Sequence, residues 1–305
     1  MDKQGKHITG LRTVAVSTAV SVMDVVISFI VAAITGSSVM FAQGLQGAAD
    51  LITTLFLLLG VKRSKRKASD THPFGYGREL FFWVLMSSLF AFLFSGGIAS
   101  YRAIQQIIDG GVIESAYLAL ITLLFGVLTN GYSLSNSYRR LSGGARGKSL
   151  IRYIRHSSLV ETKMTLLVDF MGTLSAALGL LALIAYQITG NTVYDSLGAL
   201  IIGLLTAMGA LFVILDLHDL IVGRSPHPTI IEGIRKAAQK VKGVNDVLDL
   251  SATLIGSGKV LAILEVHFAD DLTTDEIEVI TDDIKEAVKK AEPIVSRVQV
   301  EVETP

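Results

Sequence analysis

The chain has 305 residues, half of them hydrophobic, with a mean hydropathy of +0.54; this excludes a soluble domain of ordinary composition and points to several membrane crossings. The formal net charge is zero, yet residues 1–225 carry 18 Lys and Arg against 12 Asp and Glu, while residues 226–305 carry 9 against 15. A basic-flanked membrane part, 1–225, is therefore followed by an acidic soluble part, 226–305, and the absence of cysteine excludes disulfides and thiolate metal sites.

In chain order, the N-terminus starts polar and runs straight into a long apolar stretch without a small-residue cleavage site, so it reads as a retained span. No Arg- and Ser-rich transit segment precedes it, which favours a prokaryotic inner membrane. Six apolar stretches of about 20 residues follow one another, near 13–34, 38–60, 80–106, 115–137, 163–188 and 193–217. They predict an all-α six-helix membrane bundle. Short links join them on one side: Thr35-Gly36-Ser37, Asp109-Gly110-Gly111 and Thr189-Gly190-Asn191.

The links on the other side are basic. Lys62, Arg63, Lys65, Arg66 and Lys67 lie between the second and third stretches. Arg139, Arg140, Arg146, Lys148, Arg152 and Arg155 lie between the fourth and fifth. By the positive-inside rule both loops are cytoplasmic, and an even number of spans then places both termini inside. These clusters read as topology signals and lipid head-group contacts, with no nucleic-acid partner expected.

After Arg224 the pattern changes. Pro226 and Pro228 bracket a linker, and Ile230–Val241 has helical periodicity with Gly243 beyond its end. Val244–Thr253 and Val260–Phe268 read as strands joined through Gly256-Ser257-Gly258. Thr273 or Thr274 caps a helix running to about Ala291, and Ser296–Glu303 alternates as a half-buried strand. The order αββαβ predicts a small α+β domain that gains from pairing with a second copy.

Polar groups inside the spans carry the chemistry. A carboxylate at the centre of a span costs roughly 2.5–3.5 kcal/mol by insertion scales, so it is kept mainly where it faces a cavity, an ion path or a partner. Asp50 lies in the second stretch with Gln46 four residues before it, on one helical face. Asp169 in the fifth repeats the pattern with Thr165. Two carboxylates, each with a neutral oxygen one turn away, make an oxygen-rich cation site if their helices meet. Gln43 falls near Gln46 on the same path; Asp24 in the first stretch and Asn130 in the fourth are further candidates. Asp195 opens the sixth stretch, where an acidic N-cap is expected. His72 precedes a proline and reads as a loop-shaping residue. Asp249, His267, Glu301 and Glu303 read as an acidic solvated surface, with a regulatory metal site as the alternative.

Several of these runs carry a family resemblance. Gly36-Ser37 leading to Asp50, His72-Pro73-Phe74-Gly75-Tyr76-Gly77-Arg78-Glu79, Asp169 with Gly172, and Tyr194-Asp195-Ser196-Leu197-Gly198 together resemble the cation diffusion facilitator family over nearly the whole chain. The last run and Leu220–Ser225 look most like the branch containing the mitochondrial zinc transporter. The resemblance implies a dimeric six-span exporter of divalent transition metals driven by proton antiport, with a metallochaperone-like cytoplasmic dimerisation domain. Its four-ligand site falls on Gln46, Asp50, Thr165 and Asp169. The family's usual ligands there are His or Asp, so Gln46 and Thr165 are departures. An oxygen-only set suits Mn²⁺ or Mg²⁺, and tolerates Fe²⁺, better than it suits Zn²⁺. The substrate that the resemblance implies is Zn²⁺, Mn²⁺ or Fe²⁺, exchanged for protons, with no tightly bound cofactor. A sensor or scaffold that does not transport, and a carrier for a hard ion such as Mg²⁺ or Na⁺, are the other readings. With no Walker loop, nothing points to an enzyme or to ATP drive.

Overall fold

The computed structural model describes residues 4–145 and 160–304. The basic residues Arg146, Lys148, Arg152 and Arg155 lie outside them. Among the described residues six long helices come first: α1 (Gln4–Thr35), α2 (Ser38–Ser64), α3 (Glu79–Asp109), α4 (Ala116–Ala145), α5 (Val160–Thr189) and α6 (Val193–Val222). Helices α2 to α6 contain stretches long and apolar enough to cross a membrane, and Ser21–Thr35 of α1 is a shorter apolar stretch. Then come α7 (Pro228–Gln239), β1 (Val244–Gly256), β2 (Lys259–Phe268), α8 (Thr274–Ala291) and β3 (Val295–Val302). The expected six-helix bundle and αββαβ domain are both present.

The described residues form two compact units. One holds α1, α2 to Leu59, α3 from Trp83, α4, α5 from Thr162 and α6 to Leu215; the other holds the remainder. In the first, burial is reversed relative to a soluble protein. Large apolar side chains such as Ile30, Leu55, Leu93, Phe125 and Phe212 are exposed along the helices, as expected where the surrounding solvent is hydrocarbon. The interior is aliphatic and small: Val39, Met40, Leu123, Leu183 and Ile202 are fully buried. Small residues let the backbones approach. A methyl group on Gly179 would lie 2.7 Å from Val39 Cγ1, and one on Gly198 would overlap Ala182.

Two features depart from the sequence expectation. The third span is not α-helical throughout: Ala91–Ile98 is π-helical. There Gly96 packs against Ala207 and Gly203 against Ser100, so glycines from both helices let α3 and α6 approach closely. The second departure is Asp195. Its carboxylate is fully buried and caps α2 rather than its own helix. It accepts from Ser37 Oγ–H at 2.5 Å, Ser38 N–H at 2.7 Å and Val39 N–H at 3.3 Å. The first turn of α2 has orphan N–H groups that hydrocarbon cannot satisfy, so a carboxylate distant in sequence serves them. The short links that precede α2 and α6 turn at Gly36 and Gly190, with φ of +70° and +68°, where a left-handed residue ends the helix.

In the second unit, β1 and β2 form an antiparallel hairpin and β3 joins β2 in parallel through α8, giving the sheet order β1-β2-β3. One side of the sheet buries Val247, Leu264, Val266 and Val298, and the helices contribute Ile234, Ala238, Ile284 and Val288 to the core. Helix α8 starts at a capping box: Thr273 Oγ1 accepts from Glu276 N–H while Glu276 accepts from Thr273 N–H at 2.8 Å. Residues 60–82 belong to this unit. The His72–Arg78 run stacks His72 on Tyr76, and Arg297 lies over the Phe74 ring and donates to the Pro73 carbonyl. Gly77 lies flat against the end of β1, where a methyl group would be 2.5 Å from the Ile255 carbonyl oxygen. His72 thus shapes the loop, as its place before Pro73 predicts.

Candidate metal centre

Helix α2 presents Gln43, Gln46, Asp50 and Thr53 along one face, at the three- and four-residue steps that align side chains on a helix. Its glycines set the distance to α1. A methyl group on Gly44 would lie 3.0 Å from the Phe29 ring, and one on Gly47 2.8 Å from Val25 Cγ2. That close approach brings Asp24 within electrostatic reach of Asp50.

Gln46 and Asp50 line a cavity of about 50 Å³ inside the bundle. Its other polar walls are Thr53 of α2, Ser88 of α3 and Thr206 of α6; Met164 and Met171 of α5 complete the side facing them. Gln46 is 1% exposed, and neither its Nε2 nor its Oε1 has a hydrogen-bond partner. Gln43 is buried too, with Oε1 unpartnered. Buried side-chain amides are nearly always bonded, so an unpartnered one on a cavity wall marks a place for a ligand or water.

Asp169 is held from another direction. Ser137 of α4 donates to its Oδ2, and its charge reaches Asp50. Between them α5 carries Gly172, where a methyl group would sit 3.4 Å from Asn130 Oδ1 and 3.7 Å from Asp50 Oδ2. The amide of Asn130 and the carboxylate of Asp50 therefore face the same notch. Thr165 is exposed and does not line the cavity. The structure thus gathers Gln46 and Asp50 in one wall, brings Asp24, Asn130 and Asp169 near Asp50, and leaves Thr165 aside.

Sequence reasoning missed Ser137, Thr53, Ser88 and Thr206. A signal existed for two of them: Ser137 follows Asn130, and Thr53 follows Gln46, by seven residues, two helical turns on the same face. Ser88 and Thr206 carry no such mark, because hydroxyls are common in spans. Among the described residues no group of three or more His, Cys, Asp or Glu side chains converges as a ready ion cage. That holds also for Asp249, Glu265 and Glu301, which are lateral neighbours across the three strands of the C-terminal sheet. A cation in the bundle would therefore be held by one or two carboxylates together with neutral donors.

Comparisons with known proteins identify the family. The family model for a cation efflux transmembrane domain matches residues 14–222, and that for the cytoplasmic domain of cation efflux proteins matches residues 226–305. The human mitochondrial proton-coupled zinc antiporter SLC30A9 is 27% identical over 265 residues, covering 86% of this chain and 47% of that protein. Metal tolerance protein C4 of Arabidopsis thaliana is 26% identical over 234 residues, covering 76% and 51%. The chain thus spans about half the length of these two relatives. An uncharacterised transporter of Methanocaldococcus jannaschii is 25% identical over 267 residues, covering 86% of both chains. With both family models matched in tandem along a multi-pass membrane chain, this protein belongs to the cation diffusion facilitator, or cation efflux, family.

Proposed function

We propose that this protein exports a divalent transition-metal cation, Zn²⁺, Mn²⁺ or Fe²⁺, in exchange for protons. Residues 1–225 form the transport unit, and residues 226–305 form a cytoplasmic dimerisation module. The protein works as a homodimer in a cell membrane with both termini in the cytoplasm. Asp50 and Asp169 are the charged ligands and Gln46 the neutral one beside Asp50; Thr165, outside the cavity in this conformation, joins them only when α5 turns its face to the site, and Asp24 and Gln43 line the path. The observation that carries the reading is Gln46, buried with both amide atoms unpartnered beside Asp50 on a cavity wall. The relative described as a proton-coupled zinc antiporter supports the same reading.

The chemistry follows from linkage. A carboxylate must be deprotonated to bind a cation, and it takes up a proton once the cation leaves. Losing a cation leaves a carboxylate charge in a medium that solvates it poorly, and proton uptake relieves this. Metal and proton therefore compete for the same oxygens, which couples their fluxes in opposite directions. Ser137 orients Asp169 by donating to its Oδ2. A single favourable well does not transport: alternation requires the cavity to open to each side in turn. The π-helical stretch of α3 begins at Ala91, itself on the cavity wall, so a change in helical register there would move that wall.

The test uses purified protein in proteoliposomes with an internal pH dye, with Zn²⁺, Mn²⁺, Fe²⁺, Cd²⁺ and Mg²⁺ added in turn. The expected result is a proton signal for at least one transition metal that vanishes in Asp50→Ala and Asp169→Ala. A second reading, a non-transporting sensor or scaffold, is favoured by the place of Thr165 outside the cavity. It predicts that no metal moves protons in the folded wild type.

A further inference from the structure

We infer that Met164 and Met171 supply thioether ligands to the cation in the bundle cavity, so that the site prefers borderline and soft divalent ions, of the Zn²⁺ and Cd²⁺ kind, over hard ones such as Mn²⁺ and Mg²⁺. The inference rests on the proposed transport role of that cavity.

Met164 and Met171 are seven residues apart on α5, two helical turns, and both line the cavity that Gln46 and Asp50 line from α2. Met164 is buried in the interior of the bundle, where a lipid-facing role is excluded. Opposite Met171 the wall of α6 is cut away at Gly209. A methyl group there would lie 2.8 Å from Met171 Cε and 3.5 Å from its Sδ, so any other residue at 209 would displace the thioether. The donor count leads to the same place. Among the described residues, Asp50 is the one acidic side chain on this wall, no histidine lines it, and no three acidic or imidazole groups converge. The neutral donors beside it are the unpartnered amide of Gln46, the hydroxyls and the two sulfurs. Thioether sulfur is polarisable and binds soft ions, whereas hard ions require oxygen in its place. Methionine also fills irregular gaps in cores. That bland role predicts no dependence on the ion, and this separates the two readings.

The absence of cysteine makes the test direct: any sulfur bound to a metal in this chain is methionine sulfur. X-ray absorption at the cadmium edge on the purified full chain loaded with Cd²⁺, in thiol-free buffer, is expected to include a sulfur shell. That shell is lost in the Met164→Leu/Met171→Leu double variant, a substitution cores tolerate because it nearly conserves volume. In proteoliposomes the ratio of Cd²⁺ to Mn²⁺ initial rates is expected to fall about tenfold in the double variant, the equivalent of about 1.4 kcal/mol of discrimination. Met208→Leu, 69% exposed on α6, serves as the control and leaves the ratio unchanged. An oxygen- and nitrogen-only shell in the wild type, or a ratio unchanged by the double substitution, overturns the thioether assignment. If the wild type moves no metal, the transport reading fails, while the sulfur shell still decides the ligand assignment. If the double variant does not fold, each single variant gives the same two readouts.

Discussion

Asp195 offers the sharpest test of how this bundle is held together. Its buried carboxylate is the acceptor for one hydroxyl and two backbone N–H groups in the first turn of α2. Asp195→Ala would leave all three donors without that acceptor. A buried unsatisfied group costs about 1–3 kcal/mol, and loss of an N-cap costs about 1 kcal/mol. Part is recovered as Ser37 turns its hydroxyl to a nearby carbonyl, so the net loss comes to about 3–5 kcal/mol. In a domain of this size 1 kcal/mol shifts the melting temperature by about 2–4 °C, so the expected drop is roughly 6–20 °C. Asp195→Asn keeps one oxygen and turns an NH₂ towards the remaining donors. It should cost about 1–2 kcal/mol, from one or two lost charge-assisted bonds. The assay is thermal unfolding in detergent followed by the fluorescence of Trp83, the one tryptophan in the chain, which packs edge-on against Phe56. Ser37→Ala completes a double-mutant cycle and should be strongly non-additive with Asp195→Ala, because both remove the same bond. An alanine variant that melts within 2 °C of the wild type, or an asparagine variant as unstable as the alanine one, would refute the capping account.

Three further outcomes are expected. Gly77→Ala should lift the His72–Arg78 run off the end of β1, since the obstructing atoms are backbone and cannot rotate away; overpacking of this kind costs about 1–3 kcal/mol. Faster tryptic cleavage at Arg66, Lys67 and Arg78 checks it, and an unchanged rate would count against the packing described. Ser137→Ala should remove the hydroxyl that orients Asp169 Oδ2 and weaken metal-coupled proton flux, with Ser137→Thr restoring it; equal flux in all three proteins would remove Ser137 from the site. The third concerns pH. The Thr273 backbone N–H and hydroxyl both donate to Glu276 and hold its carboxyl below the ordinary value of 4.5. A carboxylate with a lowered folded value stabilises the fold fully above its unfolded value, and that contribution disappears as pH falls through the folded one. Hydrogen exchange in the first turn of α8 should therefore be well protected near pH 6, corrected for intrinsic rates, and less so below pH 4. Glu276→Gln, which keeps an acceptor and removes the titration, should flatten the difference.

The elements of this protein were legible in the chain because each is written in local pattern. A hydrocarbon solvent demands long apolar helices, and basic residues mark the loops on one side. The αββαβ order follows from short alternating runs separated by Gly, Pro and capping residues. Asp50 and Gln46 stood out because a carboxylate and an amide in an apolar helix have no inexpensive explanation, and the structure lines one cavity with both. Thr165 was proposed from its spacing to Asp169, and spacing fixes the face of a helix but not what that face meets: here Thr165 lies off the cavity wall. Asp195 was misread for a related reason. An acid at a helix start has a local explanation as an N-cap, and nothing near it in sequence points to Ser37, 158 residues away.

By itself, then, the sequence determined the number, kind and polarity of the elements, because helix period, strand alternation and membrane burial act within one element. Only the tertiary structure decided which polar groups meet: Ser137 with Asp169, Asn130 beside Asp50, Asp195 under α2, and Met164 and Met171 of α5 on the wall of the cavity that Gln46 lines. Those juxtapositions depend on how closely the helices pack. Glycines at 44, 47, 172, 198 and 209 permit that approach, and a glycine shows which neighbour it makes room for only once the neighbour is in place.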